Sequence, residues 1–202
     1  MLPKTFFVTG TDTGVGKTFI SALLMVGLAA RYWKPIQTGA NSETDTQWIQ
    51  RITEFPSSQF FPETYCFQAP LSPHLAAAME NQSIEMPRIQ KPKAESLIIE
   101  GAGGVMVPLN TNHLMIDLIQ QLQVPCLVVA RSTLGTINHT LLTLEQLRSR
   151  RIPICGVILN GPKNTQNRQA IEQYGAVPVL AEIEPIPLIN HEILLDLYLS
   201  KF

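Results

Sequence analysis

The sequence predicts an α/β fold: a single domain over residues 1–202, built on a mostly parallel, doubly wound sheet with helices on both faces. Three observations lead there. Short apolar runs recur with little alternation, as in strands covered on both sides. Segments of helical periodicity lie between them, and that order of elements favours a parallel sheet. Finally, "FFVTGTDTGVGKTFISALL" (Phe6 to Leu24) runs from a strand through a glycine-bearing turn directly into a helix.

Taken in order, the first strand is "TFFVTG" (Thr5 to Gly10), and the helix after the turn begins at Lys17 and Thr18. "YWKPIQTG" (Tyr32 to Gly39) reads as the end of a second strand, with Pro35 favouring an extended residue before it. Residues Asn41 to Lys93 are richer in Pro, Ser and Gln and read as an excursion from the sheet, with helices near Asp45 to Ile52 and Leu75 to Met79. "SLIIEG" (Ser96 to Gly101), "PCLVVA" (Pro125 to Ala130), "IPICGVILN" (Ile152 to Asn160) and "VPVLAEI" (Val177 to Ile183) supply further strands. Leu114, Leu118, Ile119 and Leu122 mark one intervening helix, and Ile137, Leu141, Leu144 and Leu147 another. Arg168 to Tyr174 and His191 to Leu199 carry weaker helical patterns.

The charges nearly cancel, with 15 Lys and Arg against 16 Asp and Glu, and no stretch gathers a basic stripe. This argues against nucleic acid and against a membrane surface as partners, and for a small molecule. Cys66, Cys126 and Cys155 are widely spaced, the last two inside apolar runs, and read as reduced thiols. With no signal-peptide pattern and no apolar run near the roughly 20 residues that span a bilayer, a cytoplasmic protein is expected.

The turn "GVGKT" (Gly14, Val15, Gly16, Lys17, Thr18) has the parts of a phosphate loop: glycines that let backbone N–H groups face oxygens, a lysine for terminal phosphates, and a hydroxyl for Mg²⁺. The strict pattern places a glycine where Thr11 stands, and Gly10 comes one residue too early. A glycine turn that only caps a helix is the bland alternative. Glu100 ends an apolar run before Gly101, Ala102 and Gly103, at the strand end where a carboxylate can support Mg²⁺; a solvated strand-end residue is its alternative. Lys34 is either a surface lysine or a second cation beside the γ-phosphate, which would favour transfer to a bound substrate over hydrolysis.

Five ordered motifs, "VTGTDTGVGKT", "KPIQTG", "PLSPH", "EGAGG" and "LGTINHTLLT", resemble the dethiobiotin synthetase family, and "GVILNG" and "VPVLAEI" extend a weaker similarity. A threonine at the first loop position is usual in that family. The resemblance implies a P-loop NTPase-like fold and a ligase of biotin biosynthesis that uses ATP, Mg²⁺, CO₂ and 7,8-diaminononanoate. It implies that Lys17 holds the β- and γ-phosphates, that Thr18, Asp45 and Glu100 support Mg²⁺, and that Lys34 stabilises the carbamate and the transferring phosphoryl group. Thr38 and the turn Thr11 to Thr13 would lie near the substrate amines, with Thr13 close to the chemistry. Asn160, followed by Gly161, would read the adenine edge, with Ile183, Glu184 and Pro185 flanking the base; an ordinary turn role is the alternative for Asn160. A homodimer is implied, in which Gly135, Thr136, Ile137 and Asn138 of one subunit hold the substrate carboxylate of the other on a helix N-terminus. His139 packs or bonds locally on this reading. The stretches before Lys34 and between Met79 and Ser96 are shorter than the family suggests, so a strand or crossover helix is expected to be trimmed. Alternatives for function are a partitioning-type dimeric ATPase switch, which normally has lysine where Thr11 stands, and an amide-forming synthetase of the cobalamin pathway.

Overall fold

In the computed structural model, which describes residues 2–202, seven strands form one sheet in which every pairing is parallel. The strands of the chain are β1 (Thr5–Gly10), β2 (Arg31–Trp33), β3 (Ile36–Gln37), β4 (Phe60–Phe61), β5 (Tyr65–Cys66), β6 (Leu97–Gly104), β7 (Cys126–Arg131), β8 (Ile154–Asn160) and β9 (Val179–Ile183). The large sheet has the order β4-β2-β6-β1-β7-β8-β9, and β3 pairs with β5 apart from it. The helices are α1 (Lys17–Leu28), α2 (Asp45–Thr53), α3 (Pro73–Met79), α4 (Met115–Leu122), α5 (Thr136–Ser149), α6 (Thr165–Gly175) and α7 (His191–Lys201).

The central strands alternate between two cores, as a period of two residues requires. Phe7, Ile99 and Val128 face a core closed by Leu118 of α4, Leu144 of α5 and Ile171 of α6. Their neighbours Phe6, Ile98 and Val129 face the opposite core with Leu23 and Leu24 of α1 and Leu194 of α7. Both sets are essentially free of solvent, which is why these strands read as continuous apolar runs. On the α1 side, Gly27 lets Tyr198 of α7 lie directly on the helix, since a Cβ there would overlap the ring.

Three details differ from the sequence expectation. Glu100 does not end its strand: β6 continues to Gly104, past a register shift against β1. Glycine makes this possible, because a Cβ on Gly101 would come within 2.6 Å of the Phe7 ring and one on Gly104 within 3.1 Å of the Gly10 carbonyl. The segment from Asn41 to Lys93 is not wholly outside the sheet either; two of its residues form β4 and close the edge beside β2. The trimmed stretches appear as a three-residue β2 that follows α1 almost at once, and as a single 3₁₀ turn (Met86–Arg88) with no α-helix between α3 and β6.

All three cysteines are free thiols, with Cys126 buried and Cys66 exposed. Among the described residues, no helix is long and apolar enough to cross a membrane.

Candidate active site

The carboxyl ends of β1, β2 and β6 lie side by side, and the loop from Gly10 to Gly16 curls over them. Gly16 takes a left-handed φ of 94° and stands at the start of α1 with no side-chain cap, so the N–H groups of the first helical turn are left for an anion. Gly10, the glycine that comes one residue early, lies beneath the curl: a Cβ there would sit 2.7 Å from the Asp12 carbonyl. Lys17 folds back over the loop, its Nζ donating to Asp12 O at 3.2 Å. Burial pushes the Lys17 pKa down, with the Glu100 carboxylate opposing that shift.

Tyr32 and Ile98 face α1; Glu100, two residues further along β6, is brought to that same side by strand alternation, and Lys34, the residue after β2 ends, meets it there. Glu100 is fully buried and receives a hydrogen bond from Thr18 Oγ1 (2.9 Å) and one from Lys34 Nζ (3.1 Å), both on Oε1, and one from the Tyr32 hydroxyl (3.0 Å) on Oε2. Lys34 also pairs with Asp45, so its cation lies between two carboxylates. Burial lowers the Lys34 pKa, but Glu100 and Asp45 outweigh it and the net direction is upward; the group is an ammonium at neutral pH. Asp45 is held as the first residue of α2 by a capping box between Thr44 and Gln47, and its N–H donates to Gln37 Oε1 at 3.2 Å.

These groups open into a cavity of about 850 Å³ whose wall includes Lys17, Thr18, Lys34, Thr38, Asp45 and Glu100. Thr13, Gly14, Gly16, Ala102 and Gly103 also face it. Thr11 lines instead a neighbouring cavity of about 460 Å³, with His139 and Gln146 on its α5 side, and Thr13 and Val107 belong to both walls. The Thr11 hydroxyl is buried without a partner.

Asn160 ends β8 against the phosphate loop, its Nδ2 donating to Val15 O at 3.0 Å. Gly161 follows with a φ of 138° and donates its N–H to Ile183 O at 2.8 Å, which ties this wall to the end of β9, where Glu184 and Pro185 are exposed. Gly135 starts α5 with a φ of 93° and no side-chain cap. Thr136 departs from expectation: its N–H donates to Thr133 O and its hydroxyl bonds to Arg131 O, so neither group is free for a ligand. Gly135, Ile137 and Asn138 lie outside the walls of both cavities.

Among the described residues, no group of three or more His, Cys, Asp or Glu side chains is arranged to hold a metal. Thr18, Asp45 and Glu100 place oxygen atoms on the cavity wall, the donor type that Mg²⁺ takes alongside waters and phosphate oxygens. Tyr32 was not legible as a site residue; the available signal was its position two residues before Lys34, on the same strand face.

A family model described as an AAA domain matches residues 4–192. Solved structures similar in fold include a ParA family ATPase from Chlorobium tepidum (TM-score 0.56, 14% identity, covering 98% of this chain and 89% of that one) and a putative plasmid partition protein from Borrelia burgdorferi bound to AMPPNP (TM-score 0.54, 12% identity, covering all of both). At such identities the similarity concerns the fold alone. Among curated proteins, the ATP-dependent dethiobiotin synthetase BioD of Paramagnetospirillum magneticum is 53% identical over 185 residues, covering 91% of this chain and 89% of that protein. BioD of Lawsonia intracellularis is 44% identical over 196 residues, covering 97% and 95%. The biotin biosynthesis bifunctional protein BioCD of Bordetella avium is 48% identical over 190 residues, which is 93% of this chain and 41% of that protein. With this identity over nearly the whole length, and a phosphate loop that meets a buried lysine–carboxylate cluster, the chain belongs to the ATP-dependent dethiobiotin synthetase family.

Proposed function

We propose that this chain, acting as one domain, makes dethiobiotin from 7,8-diaminononanoate, CO₂ and ATP. The observation that carries the reading is the convergence of Thr18, Lys34 and Asp45 around Glu100 beside the phosphate loop, with Lys34 cationic.

In the reaction one substrate amine adds to CO₂ and loses a proton, giving a carbamate. A carbamate oxygen attacks the γ-phosphorus of ATP and ADP leaves, forming a carbamic–phosphoric anhydride. The second amine then attacks the carbonyl carbon, and phosphate leaves as the cyclic urea closes. Lys17 and the N–H groups at the start of α1 hold the β- and γ-phosphates. Lys34 faces the negative charge shared between carbamate and transferring phosphoryl group, and its burial strengthens that interaction. Thr38 and Thr13, both on the wall of the larger cavity, orient the amines. Thr18, Asp45 and Glu100 would hold Mg²⁺, which supplies charge neutralisation across the phosphates. Asn160 keeps Oδ1 available for the adenine amine while its Nδ2 braces the loop.

The α5 N-terminus, outside both cavities of its own chain, would be contributed by a second copy, where Gly135, Ile137 and Asn138 receive the substrate carboxylate. Two measurements test these readings. Dethiobiotin, ADP and phosphate should form together only when diaminononanoate and bicarbonate are present; ATP turnover stimulated by DNA or lipid alone would overturn the assignment. Lys34→Ala and Asn138→Asp proteins, each inactive, should regain about a quarter of wild-type activity when refolded together, since about half the dimers are mixed and each mixed dimer has one intact site of two. Mixed dimers without recovered activity would show that the carboxylate site lies within one chain or that Asn138 is not part of it.

A further inference from the structure

Tyr32 is fully buried in the core beneath α1, and its ring packs edge-on to Phe60 with centroids 6.2 Å apart. Phenylalanine would satisfy that packing. The hydroxyl makes one hydrogen bond, to Glu100 Oε2 at 3.0 Å. A buried phenol needs a partner, and a buried carboxylate needs donors on both oxygens. The two donors on Oε1, Thr18 and Lys34, both stand on the cavity wall, within reach of a nucleotide phosphate, and a cation there would compete with them for Oε1. Tyr32 lies behind Glu100 and outside the cavity wall, so a ligand in the cavity does not reach its hydroxyl.

We propose that Tyr32 is a positioning residue for magnesium binding: it anchors Glu100 through Oε2 and thereby keeps Oε1 turned toward the cavity for the cation. The inference rests on the reading of Thr18, Asp45 and Glu100 as the magnesium residues. Partners behind metal-ligating carboxylates typically change metal affinity 10- to 100-fold when removed. Losing the phenol leaves Oε2 bare and lets the carboxylate rotate, which weakens its hold on a cation without touching the phosphate loop.

The test is binding of a fluorescent, non-hydrolysable ATP analogue to the full chain, titrated with Mg²⁺, alongside melting without metal. Tyr32→Phe should need about ten times more Mg²⁺ for half-maximal binding, and turnover should return toward wild type when Mg²⁺ is raised. Phe60→Leu, which removes the ring contact and spares the hydroxyl, should lower the melting temperature and leave the Mg²⁺ midpoint in place. Tyr32→Leu, which also lacks the hydroxyl, serves if Tyr32→Phe is insoluble. Glu100→Gln is the reference. If it shifts the midpoint and Tyr32→Phe does not, or if Phe60→Leu shifts it as far as Tyr32→Phe, the positioning role is overturned. If wild-type binding ignores Mg²⁺, or Glu100→Gln leaves the midpoint unchanged, the magnesium reading fails and this inference fails with it.

Discussion

Replacing Lys34 by methionine keeps most of the side-chain volume and removes the charge between Glu100 and Asp45. Lys34 and Glu100 are almost wholly buried, whereas the Asp45 side chain is 32% exposed and can turn toward water. Only Glu100 is therefore left as an uncompensated buried charge. Breaking a buried ion pair from one side typically destabilises by about 3–5 kcal/mol. Thr18 and Tyr32 still donate to Glu100, which points to the lower end, about 3 kcal/mol. In a protein of this length each kcal/mol shifts the melting temperature by about 2–4 °C, so Lys34→Met should melt about 6–12 °C lower in EDTA. Adding Glu100→Gln to Lys34→Met removes the orphaned charge and should restore at least half of the loss, about 1.5 kcal/mol, so the coupling in a double-mutant cycle should be at least that plus the cost of Glu100→Gln alone. The assay is thermal melting of the wild type, both single variants and the double. Lys34→Met melting within about 2 °C of wild type, or a double variant no more stable than Lys34→Met, would refute the account of Lys34 as the counter-charge of Glu100.

Two further outcomes are expected. Asn160→Ala should weaken binding of every nucleotide slightly, because the brace on Val15 O is lost, and ATP more than CTP or GTP, narrowing the preference by about 1–2 kcal/mol; an unchanged profile in competition binding would assign Asn160 to the loop alone. Stability should fall as pH rises above the ordinary thiol pKa. Burial pushes the Cys155 thiol up from 9.0 to about 11, and raises Cys126 further. Between the unfolded and folded values the native state keeps protons that the unfolded chain has lost, so unfolding gains with pH. Lys34, also raised, contributes in the same direction only above its ordinary value of 10.5, while Lys17, lowered by burial, opposes it. Urea midpoints at about pH 8 and about pH 10 should therefore drop less for a Cys126→Ala, Cys155→Ala double variant than for wild type; an equal drop would place the alkaline sensitivity elsewhere.

Much of the fold was legible because burial on both faces leaves a direct mark on composition. The runs that became β1, β7 and β8 are apolar at successive positions since each neighbour enters a different core. The helix expected near Asp45 to Ile52 is present as Asp45–Thr53, and the capping box of Thr44 and Gln47 that starts it emerged only in the structure. Two-residue strands leave no such mark, so β4 passed as loop although it closes the sheet. The extension of β6 through Gly101 and Gly104 was hidden for a similar reason. Glycine usually ends strands in sequence patterns, but here it admits the Phe7 ring and the Gly10 backbone.

By itself the sequence supplied a phosphate-loop motif with lysine and hydroxyl, a second lysine, a carboxylate at Glu100 and the motif order that marks the family, while Asp45 entered only through the family resemblance. Those features are local, since a loop's glycines and the residues beside them are contiguous in the chain. Tertiary structure alone decided which groups touch. Lys34 and Glu100 are 66 residues apart and Tyr32 and Glu100 68, and their contacts depend on β2 and β6 being neighbours in register. It also decided that Thr136 turns its N–H and hydroxyl to its own loop, and that Asn160 braces the phosphate loop from 145 residues away. Strand order sets such pairings through sheet packing summed over the whole chain, and no short stretch of sequence encodes that sum.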